Sequence, residues 1–208
     1  MLARARAVHN AAEARALYHD WAATYDADIF DTLKVTGSDR IADLLAAHLT
    51  ARGAAIIDLG CGTGHVGARL RGHGFATIDG VDLSPEMLEV ARGKQLYRNL
   101  MAADLNEPLS LASGSYDAAI SAGAFTTGHV GAGALDEVLR IVRPGGLVDA
   151  TIADTVWHAG GFDAAVAKLA RTGGITLLST THEPIVAGGE PQGRFIVARA
   201  GDQAAASP

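Results

Sequence analysis

Apolar residues recur along this chain in two alternating rhythms, and the alternation predicts a sheet layered between helices. Ala54–Leu59 is a short continuous apolar run that ends at glycines, the pattern of a buried strand. Gly64–Gly72 has helical spacing, and Phe75–Leu83 reads as a second strand. Ser84–Arg92 reads as a helix, with Ser84 as N-cap, Pro85 at the first helical position and Glu86 in the first turn. Gln95–Ala103 carries a weaker third strand and Tyr116–Ala122 a strong fourth. Leu135, Val138, Leu139 and Val142 form the apolar stripe of a helix over Ala132–Val142, which Pro144-Gly145-Gly146 breaks before a fifth strand, Leu147–Ala153. A further amphipathic helix, Gly161–Arg171, precedes two final strands, Ile175–Thr181 and Arg194–Arg199.

Strands alternating with helices imply a mainly parallel α/β sheet covered on both faces. The last two strands are joined by a short Gly-rich loop, Ala187–Gly193, with no room for a crossover helix, so that pair should be antiparallel. Before the first strand, Ile41, Leu44, Leu45 and Leu49 share one face of a helix over Ser38–Leu49. Ala11–Phe30 is also helical, interrupted around Tyr25-Asp26. We therefore expect one domain: a helical lid over residues 1–37, a core over 38–200 and a frayed tail over 201–208.

Composition narrows the partners. The chain has 208 residues, enough for a full core, and a formal net charge of -6. No basic run marks a nucleic-acid or membrane-surface partner. The single cysteine, Cys61, excludes an internal disulfide and a cysteine-cluster metal site, and the histidines are not grouped for metal. The N-terminus lacks the apolar stretch of a secretory signal, and no apolar run approaches the roughly 20 residues that span a bilayer. A cytoplasmic protein, monomer or homodimer, is expected.

The chemistry concentrates in Asp58-Leu59-Gly60-Cys61-Gly62-Thr63-Gly64, where a strand runs through alternating glycines into a helix. Such glycines let a ligand lie against the main chain, and the helix offers free N–H groups. Gly62–Gly67 also satisfies G-x-G-x-x-G, and Asp82 lies about 20 residues further on, so a nicotinamide dinucleotide fits this segment as well. Asp58 favours a ligand with an ammonium group and repels a pyrophosphate. Asp104, after the third strand, is placed to accept from an adenine amine. Three acids at three successive strand ends suit an adenosyl amino acid, although isolated aspartates also cap turns.

These segments, together with Val81–Leu88, Ala103-Asp104 and Leu139–Gly146, resemble the class I S-adenosylmethionine-dependent methyltransferases. Tyr18–Ala22, Tyr25-Asp26 and Gly123–Val130 further resemble the Williams–Beuren-region methyltransferase-like subfamily, whose members often have histidine where this chain has Thr127. The resemblance implies a Rossmann-like three-layer sandwich with a seven-stranded, mostly parallel sheet and an antiparallel last strand. It implies S-adenosyl-L-methionine as cofactor and S-adenosyl-L-homocysteine as product. Asp58, Gly60, Cys61 and Gly62 would line the methionine end. Asp82 would bind the ribose, with Leu83 and Met87 against the adenine. Ala103, Asp104 and Leu105 would hold the adenine edge, and Ser121 would wall the sulfonium. Tyr18, Tyr25 and Thr36 would belong to the lid.

Methyl transfer asks the protein for approach geometry and dryness, and for a base when the acceptor is oxygen or carbon. His129, in the Gly-rich loop after the fourth strand, is the first candidate base. It can equally be a loop histidine bonding locally. His158, beside Trp157, and the lid residue Tyr25 follow. The short lid and the lack of an added domain favour a small-molecule acceptor. A non-methylating reaction of the same fold, a cyclisation or decarboxylation, and an NAD-dependent oxidoreductase are the alternatives.

Overall fold

The computed structural model describes residues 2–5 and 7–201. The expected frayed tail therefore lies outside the described residues beyond Gly201. Gly201 itself is tied down, its N–H donating to the Gly174 carbonyl at 2.8 Å.

The chain begins with helices α1 (Leu2–Ala5) and α2 (Ala11–Trp21), a π-helix over Ala27–Thr32, and α3 (Gly37–His48). There follow β1 (Ala55–Leu59), α4 (His65–Gly72), β2 (Thr77–Asp82), α5 (Pro85–Gly93), β3 (Asn99–Ala102) and β4 (Tyr116–Phe125). The remainder is α6 (Ala134–Ile141), β5 (Val142–Ala153), α7 (Asp154–Trp157), α8 (Phe162–Arg171), β6 (Ile175–Glu183) and β7 (Gly193–Ala200). The seven strands form one sheet in the order β3-β2-β1-β4-β5-β7-β6. All neighbours are parallel except β7, which runs antiparallel to both β5 and β6. The expected Rossmann-like sandwich is thus observed.

Successive strand residues point to opposite faces, and both faces are dry. Ile57, Leu59, Ala119, Ile152 and Ile196 meet Val138 and Leu139 of α6 and Phe162 and Val166 of α8. Ile56, Ile78, Ala118, Ile120 and Phe195 meet Ile41 and Leu45 of α3 and Val66 and Leu70 of α4. Strand order reverses between β1 and β4, and the carboxyl ends of strands at such a switch point are where open α/β sheets bind ligands.

Several boundaries differ from the sequence reading. Strand β5 begins at Val142, before Pro144-Gly145-Gly146 rather than after it. Val142 pairs with Tyr116 and Leu147 with Ala118, so the Pro-Gly-Gly segment bulges from a strand already begun. Strand β4 runs past Ala122 to Phe125 through a second register shift. Strand β3 is only four residues long. The lid breaks at residues 22–24, is helical again at Tyr25-Asp26, the expected point of interruption, and runs on into the π-helix, and the sequence pattern gives no sign of α7.

Helix α5 starts as its sequence dictates. Ser84 Oγ accepts from the Met87 N–H at 3.2 Å, with Pro85 following. Ser84→Ala removes that cap. It should cost about 1 kcal/mol and lower Tm by roughly 2–4 °C in a chain of this size, read by thermal denaturation.

Candidate functional site

The loop after β1 depends on its glycines. Gly60, Gly62 and Gly64 have φ of +75°, +52° and +92°, the left-handed region that side chains resist. A Cβ on Gly60 would lie 2.8 Å from the Cβ of Ala124. The N–H groups of Gly60 and Cys61 donate to the Val81 carbonyl at 2.8 and 3.0 Å. Asp82, at the end of β2, accepts from the Gly62 N–H at 2.8 Å and from the Ser84 N–H at 2.9 Å, one on each oxygen. Burial pushes the Asp82 carboxyl up, and these N–H groups oppose that.

Gly67, the last glycine of G-x-G-x-x-G, answers to packing. A Cβ there would lie 2.5 Å from the Tyr97 ring. The Tyr97 hydroxyl reaches Asp58 and donates to Oδ2 at 2.6 Å. Asp58 is fully buried, and its Oδ1 has no partner among the described residues. Burial first, then the neighbouring Asp82, pushes its carboxyl up to about 7 against the Tyr97 hydrogen bond. The buried Cys61 thiol is also pushed up, chiefly by burial, which leaves it inert as a nucleophile.

A cleft of about 680 Å³, including its open mouth, lies above this loop. Its floor is Gly60 and Gly62, and its sides are Asp82, Leu83 and Met87 from β2–α5 and Asp104 and Leu105 after β3. Tyr18 and Tyr25 roof it, and His129 closes the β4 side. The structure thus gathers ten of the expected site residues. The others lie outside the lining. Asp58 sits one layer behind the loop. Cys61 packs against Gly80, where a Cβ would be 2.8 Å from its Sγ. Ser121 donates from Oγ to the Leu59 carbonyl at 2.8 Å, stapling β4 to β1. Ala103 makes a backbone bond to the Asp82 carbonyl at 3.1 Å, and Thr36 one to Ile185 at 2.8 Å beside the β6–β7 loop. His158 is an exposed partner of Asp163, with Nδ1 2.6 Å from the carboxylate and its side chain 77% exposed.

Sequence reasoning missed Asn106 and the small wall residues Ala11, Ala14, Ala122, Gly123, Ala124 and Val130. Asn106 donates to the His129 carbonyl at 3.0 Å and accepts from the Gly131 N–H at 3.0 Å, joining the loops after β3 and β4. Its position two residues after Asp104, whose Oδ1 it bonds from both backbone and side chain, was the available signal.

His129 is held at both ring nitrogens. Nδ1 lies 2.8 Å from the Thr127 carbonyl, which can only accept, so Nδ1 donates. In the neutral ring Nε2 then carries the lone pair, and the Tyr18 hydroxyl, 2.9 Å away, donates to it. Burial raises the pKa of both lid phenols, that of Tyr25 to about 12 with Asp82 and Asp26 adding, so they act as donors and not as bases near neutrality. The lid is strapped down at other points. Asp26 accepts from the Thr63 hydroxyl and pairs with Lys94 at 2.6 Å, His19 pairs with Glu86 at 2.8 Å, and Phe30 stacks on His65 at 3.6 Å between centroids.

Residues 56–146 match the family described as a methyltransferase domain. The chain is 40% identical over 152 residues to methyltransferase-like protein 27 of Homo sapiens, covering 70% of this chain and 61% of that relative. A malonyl-acyl-carrier-protein O-methyltransferase of Pectobacterium atrosepticum is 37% identical over 128 residues, 61% of this chain and 49% of the relative. An 18S rRNA guanine-N7 methyltransferase relative from Dictyostelium discoideum is 37% identical over 84 residues, 40% of this chain and 29% of its own length. Among solved structures, the magnesium protoporphyrin IX methyltransferase of Synechocystis has a TM-score of 0.67 at 17% identity, over 91% of this chain and 99% of that one. The last likeness shows the fold. The chain spans 61% or less of the length of these three sequence relatives.

Proposed function

We propose, from the premise that residues 56–146 match a methyltransferase domain, that this chain transfers a methyl group from S-adenosylmethionine to a small-molecule acceptor. The observation that carries the cofactor reading is the charge of the cleft. Asp82 and Asp104 line it, no lysine or arginine does among the described residues, and Asp58 lies behind its floor. Such a site attracts a sulfonium and an ammonium and repels a pyrophosphate, which disfavours the dinucleotide.

The residues fit the cofactor part by part. Asp82 would accept from the ribose hydroxyls, and Asp104 from the adenine amine. Leu83, Met87 and Leu105 form an apolar slot for the ring. Apart from Gly62 and its chain neighbours, no heavy atom of the described residues lies within 4 Å of where a Gly62 Cβ would stand, which leaves main chain open to the methionine portion. When bound, S-adenosylmethionine supplies an electrophilic methyl carbon for in-line displacement. His129 would receive the acceptor's proton at Nε2, and Tyr18 and Tyr25 would exclude water above it.

The acceptor chamber supports a metabolite rather than a macromolecule. Ala124 and Val130 face Ala11 and Ala14 of the lid, which is tied down on several sides. The acidic balance of the chain also weighs against RNA, despite the rRNA relative. Among the described residues, no helix is long and apolar enough to cross a membrane.

Calorimetric titration tests the cofactor half. S-adenosylhomocysteine should bind with micromolar affinity or better and NAD should not, and the reverse result sinks the proposal. For the acceptor half, purified protein with S-adenosylmethionine is offered small-molecule, RNA and protein fractions separately. S-adenosylhomocysteine should form in step with a methylated product in the small-molecule fraction. Turnover only with RNA or protein refutes the acceptor class, and a converted product without S-adenosylhomocysteine favours the non-methylating alternative.

A further inference from the structure

The cofactor reading leaves Tyr97 without a role, yet the glycine loop is built around it. Tyr97 stands between α5 and β3 and passes beneath the start of α4. Its ring lies 3.0 Å from where a Gly64 Cβ would be and 2.5 Å from that of Gly67 in α4, so this one side chain occupies the space that two glycines of the motif leave. Its hydroxyl ends 2.6 Å from Asp58 Oδ2. A carboxylate oxygen accepts, so the phenol donates. Asp58 is buried, and Oδ1 has no partner among the described residues.

We propose that Tyr97 is a positioning residue for cofactor binding: its hydroxyl clamps Oδ2 of Asp58 and fixes the carboxylate behind the floor of the cleft, where its charge draws the ammonium end of the cofactor. The inference rests on the cofactor assignment above. A hydrogen bond to the charged form of an acid stabilises that form, and burial opposes it. The two influences meet at Asp58, whose carboxyl sits at about 7. The other titratable groups that bear on it are Asp82, which discourages its charge, and the Cys61 thiol, which stays neutral. The Tyr97 phenol is held well above its ordinary value by burial first, then Asp58, so it remains a donor throughout the working range.

The sign follows. A cationic ligand end prefers ionised Asp58, so affinity should rise as pH increases through the Asp58 midpoint. Tyr97→Phe keeps the ring that fills the space beside Gly64 and Gly67 and deletes only the donor. The midpoint then moves up.

Calorimetric titration of S-adenosylhomocysteine into the full-length protein from about pH 6 to about pH 8.5 tests this. Wild type, Tyr97→Phe and Asp58→Asn are compared, with circular dichroism to confirm folding. Tyr97→Phe should bind about fivefold more weakly at about pH 7 and about tenfold more weakly at about pH 6, as a midpoint shift of about one unit demands, and should recover toward the alkaline end. Asp58→Asn should bind weakly at every pH, with a flatter profile. Wild-type affinity and profile in Tyr97→Phe overturn the proposal. An equal loss at every pH does so too, because that is the signature of packing alone. If wild type itself fails to bind, the cofactor assignment falls and this role falls with it.

Discussion

Replacing Asp82 by asparagine should weaken binding of S-adenosylhomocysteine about a hundredfold while the sheet stays folded. Each Asp82 oxygen already accepts a backbone N–H, Gly62 on one side and Ser84 on the other. Asparagine offers one acceptor oxygen. Its amide nitrogen would face the second N–H donor to donor, at about 1–3 kcal/mol for the group left unsatisfied. The ribose hydroxyls would also lose a charged acceptor, worth about 1.5–3 kcal/mol per bond. Together these come to about 2.5–6 kcal/mol, against the roughly 2.7 kcal/mol that a hundredfold in affinity requires. Asp104→Asn is the comparison. Asp104 is half-buried and bonds Asn106 in its own loop, so its loss should be milder. Calorimetry decides, and an Asp82→Asn protein within about threefold of wild type would show that the carboxylate shapes the loop without serving the ligand.

His129→Ala should lower kcat for a hydroxyl acceptor by about 10²–10⁴, the usual contribution of a positioned base, with far less change in cofactor affinity. The case is geometric. The Thr127 carbonyl fixes the ring's tautomer, and the Nε2 lone pair, which accepts from Tyr18, is on the ring edge that lines the cleft. Release of S-adenosylhomocysteine at saturating cofactor is the measurement. A loss in affinity with kcat unchanged would mean that the ring only anchors the lid through Tyr18. An amine or thiolate acceptor, which brings its own nucleophile, would leave kcat nearly untouched.

Much of this arrangement is legible in the residues, because the strongest signals are covalent facts about single positions. Glycines that must take positive φ, a serine and proline that open α5, and acids at strand ends each announce their geometry locally. The antiparallel β6–β7 pair followed from a loop too short for a crossover. The errors arose where tertiary contacts choose among local options. Pro144-Gly145-Gly146 does end a helix, but Val142 pairs with Tyr116 first, so strand β5 begins before its expected breaker. The π-helix at Ala27–Thr32 leaves no periodic mark distinct from an α-helix. His158 followed β5 and looked well placed, but the short helix α7 carries it to Asp163 on the surface. Ala11 and Ala14 line the cleft with nothing but small size, and alanine in a helix reads as a propensity choice. Tyr97 was invisible for a similar reason. Its partners Gly64, Gly67 and Asp58 lie 30 or more positions away in sequence, and the motif they form reads as a cofactor signal with or without it.

With His129 as the base of the proposed reaction, its bond to Tyr18 would give the protein a threshold for what it will act upon. With the lid down, the imidazole's lone pair is already satisfied by a phenol, so a solute gains nothing by entering unless it can make a better hydrogen bond in the same place. Water, plentiful but no better a donor than the tyrosine, is turned away at parity. An acceptor succeeds only if its apolar body recovers, against Ala11, Ala14 and Val130, what the exchange of one donor for another does not supply. Discrimination then begins as a competition with the protein's own side chain, before any methyl group moves.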